Sequence, residues 1–145
     1  MAKQPKRKPT PHLVMIMAHD ELIKPFVDRL RGQFCVTFTS DADTALSTIK
    51  LARKTETPIR ALICGYFIGF KGAGICICRD LAKDYPNEMS GVRFGILTTM
   101  VDDALLDVNE IGGGVPMIVG RKSFNSGDIA AFFDDVLAQS ARQDI

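Results

Sequence analysis

Four cysteines, a glycine-rich segment, a loop histidine and a basic run are where this sequence carries groups fit for chemistry. Cys76 and Cys78 stand two apart, a spacing that invites a metal or redox reading. On a helix, however, i and i+2 point about 200° apart, which suits shared chelation poorly. Thiols in apolar surroundings behave as small hydrophobes. Cys64 closes an apolar run and admits a reactive-thiol reading, but no Lys, Arg or second Cys close in sequence argues for a lowered pKa. Core packing is the expectation for Cys35, Cys64, Cys76 and Cys78 alike. Gly69-Phe-Lys-Gly-Ala-Gly74 has the glycine content of a phosphate cradle. It lacks the Gly-Lys-Ser/Thr ending of a P-loop and has the wrong spacing for a dinucleotide fingerprint, so a flexible connection is expected there. His19 titrates near neutrality and is either a pH-responsive group or a solvated loop side chain. No nucleophile–base pair is evident, and an enzyme is not expected.

The elements that must position these groups follow from composition and pattern. At 145 residues and 46% hydrophobic, the chain suits one well-buried domain. Lys3, Lys6, Arg7 and Lys8 place +4 within the first ten residues of a chain whose net charge is +1. A disordered basic tail over residues 1–11 and a folded part over 12–145 are therefore expected. Four charges without interleaved aromatics support only weak, salt-sensitive contact with nucleic acid, and none is expected. No run approaches the roughly 18 apolar residues of a membrane span, and no signal-peptide core follows the basic start. With no need for disulfide staples at this size, a cytoplasmic protein is expected.

Short apolar runs alternate with amphipathic stretches. Strands are expected at His12–Ala18, Phe34–Thr39, Ile59–Cys64, Val92–Thr98 and Val115–Gly120. Helices are expected from about Glu21 to Gln33, after a Ser40 or Asp41 cap, from Ile75 to Tyr85, over Ala104–Ile111 and along Ile129–Leu137. Continuous apolar strands imply burial on both faces, hence an α/β, doubly wound parallel five-stranded sheet. The flavodoxin-like (βα)5 order 2-1-3-4-5 suits five such units. In these sheets the functional residues lie at the strand carboxyl ends: His19–Glu21, Ser40–Asp43, Cys64–Gly69, Thr98–Asp102 and Gly120–Ser123.

At those ends the chain resembles the response-regulator receiver (CheY-like) domain over residues 12 to about 140. His19-Asp20-Glu21 is similar to the family's acidic pair after strand one, and Asp41-Ala42-Asp43-Thr44-Ala45-Leu46 to the start of its second helix. Gly74-Ile75 through Arg79 and Leu81 resembles the third helix, Leu97-Thr98-Thr99 the end of strand four, and Arg121-Lys122-Ser123-Phe124 the lysine segment after strand five. The resemblance implies an aspartate at the end of strand three that accepts a phosphoryl group. It also implies an acidic pair that holds Mg²⁺, and a Thr and a Lys that hold the phosphoryl oxygens.

Between Cys64 and Gly74 there is no Asp or Glu, so no shift of alignment supplies the phosphoacceptor. His19 and Asp20 replace the acidic pair, Val119 stands at the switch aromatic, and Ser123 replaces the proline after Lys122. The resemblance thus implies a pseudo-receiver with a vestigial phosphorylation site of His19, Asp20, Cys64, Gly65, Thr98 and Lys122, and with no metal or cofactor. Lys122 either pairs with Asp20 or is a solvated surface lysine, and Thr98 is expected to satisfy backbone groups. Such a module would signal in a two-component-type pathway by binding a protein partner, or a second copy as a homodimer. The family's fourth-helix, fifth-strand, fifth-helix face is where that contact is expected. No DNA-binding segment follows the fifth helix, so output is expected through a partner chain. The alternative is a small-molecule or thiol-redox sensor using a crevice around Cys64, Tyr66, Thr98 and Lys122.

Overall fold

Three strands of almost unbroken aliphatic sequence can be satisfied only between two layers of helices. The structure is a computed structural model and describes residues 10–18, 20–55 and 57–139, without the side chain of Asp20. Along the chain run β1 (His12–Ile16), α1 (Asp20–Asp28), β2 (Cys35–Thr39), α2 (Ala42–Arg53) and β3 (Ile59–Gly65). Two short strands follow, β4 (Phe67–Ile68) and β5 (Phe70–Lys71), then α3 (Ala73–Asp84), β6 (Arg93–Thr98), α4 (Val101–Ile111), β7 (Ile118–Arg121) and α5 (Ser126–Ala138). The main sheet is parallel throughout, in the order β2-β1-β3-β6-β7. With the β4–β5 hairpin set aside, this is the order 2-1-3-4-5 expected from the sequence.

Strand alternation divides the core. Val14, Ile16, Leu62, Cys64 and Ile96 pack with Ile49, Ile75, Leu81 and Ala104 of α2, α3 and α4. Leu13, Met15, Ala61, Ile63 and Leu97 pack with Ile23, Val27, Ile129 and Phe133 of α1 and α5. Burial on both faces holds for the central strands only: β2 and β7 close the sheet edges and stay partly exposed. Cys35 opens β2 and is exposed, and Cys76 is only half-buried, so the expected core role holds for Cys64 and Cys78 alone.

Several boundaries shift by one to five residues from the sequence expectation, among them the end of β1 at Ile16 rather than Ala18. The first helix ends at Asp28 rather than Gln33, because the Leu30 carbonyl accepts the N–H of both Gln33 and Phe34 and closes the chain in tight turns. The last strand starts at Ile118 rather than Val115, since Pro116 has no N–H for the ladder. The Gly69–Gly74 segment expected to be a flexible connection instead holds the turn and second strand of the β4–β5 hairpin, with Gly69 at φ +80°, and the start of α3. The basic tail expected over residues 1–11 lies almost wholly outside the described residues.

Candidate functional site

The parallel register brings the carboxyl ends of the strands to one edge. Ile16 pairs with both Thr39 and Cys64, Gly65 with Leu97, and Thr98 with Arg121. Cys64, Gly65 and Thr98 therefore end neighbouring strands at this edge, and Lys122 follows β7 there. His19 and the Asp20 side chain lie outside the described residues, so the Lys122–Asp20 pairing is not among the observed contacts.

Cys64 does not stand at a mouth. Alternation along β3 turns it to the same side as Leu62, and it is fully buried. The Cys78 thiol, one helical face away on α3, donates to the Cys64 sulfur at 3.6 Å. That hydrogen bond, together with burial, pushes the Cys78 pKa well up. A thiol pair of this kind is a packing element.

Tyr66, the residue after the strand end, folds inward with 1% of its surface exposed. Its hydroxyl donates to the Asp107 carboxylate on α4. Burial, then the hydrogen bond and charge of Asp107, raise its pKa above the usual tyrosine value. The Tyr66 carbonyl in turn accepts from Gly72 N at 3.1 Å and Gly74 N at 3.4 Å. Gly74 is required here: a Cβ on it would lie 1.9 Å from the Gly65 carbonyl oxygen. The end of β3 is thus clamped between the first turn of α3 and the middle of α4. The sequence reading missed the Tyr66–Asp107 bond, and its partners are separated by 41 residues. The only local signal was a tyrosine at the end of an aliphatic strand.

Thr98 is buried, and its hydroxyl accepts the Met100 N–H at 2.9 Å, just before α4. Its carbonyl accepts the Lys122 N–H at 2.8 Å. The expectation of a hydroxyl serving backbone groups describes this arrangement. Lys122 itself is half-buried. Val119 is half-buried in the layer that holds Tyr66 and Ala104. Of the residues expected to line a crevice, Cys64, Tyr66 and Thr98 are buried and Lys122 is half-buried. A cleft of about 530 Å³ lies at the ends of β1 and β2, lined by Met17, Ala18, Phe38, Thr39, Ser40 and Thr44.

No protein-family model matches this chain, and neither does any curated protein. Solved structures do match. A sensor protein from Polaromonas sp. JS666 superposes with a TM-score of 0.64 at 13% identity, over 89% of this chain and 97% of that one. The signal receiver domain of an HD domain-containing protein from Pseudomonas fluorescens Pf-5 gives 0.60 at 16% identity, over 94% and 93%. The non-phosphorylated HemR receiver domain from Leptospira biflexa gives 0.60 at 12% identity, over 90% and 96%. The architecture is the flavodoxin-like fold of response-regulator receiver domains.

Proposed function

We propose that this protein is a pseudo-receiver: a non-enzymatic signalling module of a two-component-type pathway that binds protein partners without being phosphorylated. One observation carries the reading. Where the fold places a phosphoacceptor, the strand ends in Cys64, Gly65 and a buried Tyr66 whose hydroxyl is bound to Asp107. A phosphoryl acceptor must face solvent and offer a nucleophilic oxygen, whereas the Tyr66 oxygen is turned to α4 with its pKa raised. His19, Asp20, Cys64, Gly65, Thr98 and Lys122 are then the remnant of the site. With Val119 at the switch-aromatic position, β7 carries no aromatic switch either.

The Tyr66–Asp107 bond and the Thr98–Met100 bond both hold α4 against the strand ends. This favours one standing conformation of the α4–β7–α5 face and suits partner or self-association there in a single state. Burial of Cys64 against Cys78 weighs against the thiol-sensor alternative. Incubation with acetyl phosphate and Mg²⁺, followed by intact-mass measurement, tests the proposal. The unmodified mass is expected, and a stoichiometric, hydroxylamine-labile phosphoryl adduct overturns it.

A further inference from the structure

Large apolar side chains left in solvent are not spread evenly over this molecule. Of the eight among the described residues, Phe67, Phe70, Met100, Leu105 and Leu106 all belong to the β4–β5 hairpin or to α4 and its cap. The hairpin is pinned along one stripe of α4. Lys71 Nζ lies 3.1 Å from Asp103 Oδ2, Tyr66 reaches Asp107, and a Cβ at Gly72 would sit 3.3 Å from Ile111 Cδ1. Asp103, Asp107 and Ile111 are i, i+4 and i+8, so they share one side of the helix. The neighbouring outer stripe is Asp102, Leu106 and Glu110, all three exposed. Phe67 pairs across the hairpin with Lys71 and therefore shares its face, turned toward α4. Met100 caps the same end of the helix, 41% exposed. Phe67 and Leu106, with Met100 at the helix cap, are thus the exposed apolar groups of a strip at the hairpin–α4 junction.

Charge selects what covers it. α4 carries Asp102, Asp103, Asp107 and Glu110 and no basic residue. Lys71 neutralises Asp103, and Tyr66 occupies Asp107. Asp102 and Glu110 remain as exposed acids on either side of Leu106. A second copy docked through the same patch would bring acids against acids, because α4 carries no basic residue and Lys71 is taken by Asp103. An anionic membrane surface would repel them too. We infer that the hairpin–α4 strip is a docking surface for a basic amphipathic helix of another protein, with aliphatic anchors seated on Phe67 and Leu106 and Lys or Arg reaching Asp102 and Glu110. This deepens the reading of the protein as an interaction module and is independent of whether the strand end is phosphorylated. The phosphodonor assay tests that point separately.

The probe is a labelled leucine–lysine peptide with helical apolar spacing, titrated against the full chain by fluorescence anisotropy, with a leucine–glutamate peptide of the same pattern as control. The lysine peptide is expected to bind and the glutamate peptide not to. Combined F67S/L106S should weaken binding at least about tenfold. D102N/E110Q should weaken it and flatten its salt dependence. L22S/L51S, which removes exposed apolar groups from α1 and α2, should leave it unchanged. All six positions are exposed, and thermal melts confirm that each variant is folded. Equal binding of the acidic peptide, loss in L22S/L51S as large as in F67S/L106S, or a dimer of the wild type that F67S/L106S dissociates would each overturn the inference.

Discussion

Replacing Tyr66 by Phe removes one oxygen and leaves the ring, so it isolates the bond between the end of β3 and α4. Hydrogen bonds to charged groups contribute about 1.5–3 kcal/mol. Asp107 is half-buried and can regain water once its donor is gone, which places the cost of Y66F at the lower end, about 1.5–2 kcal/mol. Asp107→Asn should cost a similar amount, and the double variant less than the sum of the two, because both remove the same interaction. The pH dependence carries a further signature. Burial and Asp107 raise the folded-state pKa of Tyr66 above the value near 10 of an unfolded chain. The tyrosine's stabilising contribution is therefore complete below about pH 10 and declines as pH climbs from there toward the folded-state pKa. Urea unfolding of the four proteins at pH 7, repeated at intervals from pH 9 to 11, measures both effects. Full additivity of the two substitutions, or an alkaline decline as steep in Y66F as in the wild type, would refute the coupling of β3 to α4.

Two further outcomes are expected. Gly74→Ala should be destabilising by roughly 1–3 kcal/mol in urea. The added methyl meets the Gly65 carbonyl at 1.9 Å and forces α3 off the strand end, an overpacking cost that exceeds the helix-propensity gain of about 1 kcal/mol. A G74A protein as stable as wild type would show that the contact is loose. His12, hydrogen-bonded to Thr37 at 2.7 Å, has its pKa lowered by burial. Its contribution is present above the unfolded value near 6.5 and is lost as pH falls through the folded one. His12→Gln keeps a hydrogen-bonding side chain without the titration. It should flatten the stability profile between pH 7 and 5, as followed by thermal melts, and an unchanged profile would exclude His12 as its source.

Much of the fold was legible in the chain, and for local reasons. His12–Ile16, Ile59–Cys64 and Arg93–Thr98 are aliphatic on both faces of a strand, a pattern that only a covered parallel sheet can bury. A cap at Ser40 or Asp41 and Thr98 as a backbone-serving hydroxyl follow from residue type and position, and the structure selects Asp41, whose Oδ1 accepts Thr44 N at 2.7 Å. The hairpin was not legible, since Phe67-Ile68 and Phe70-Lys71 are too short to display an alternation. The exposed start of β2 at Cys35 was missed because apolar character alone does not tell an edge strand from a central one.

For the candidate site the division is sharper. That no carboxylate stands between Cys64 and Gly74 is a property of the sequence and needs no coordinates. What occupies the place instead was decided only by tertiary structure. Tyr66 turns inward because its ring completes the layer built by α2, α3 and α4, and its hydroxyl finds Asp107 because the right-handed β6 crossover lays α4 beside the β3 end. Periodicity reports a residue's own backbone and face. A partner 41 positions away depends on strand order and register, which no local pattern contains.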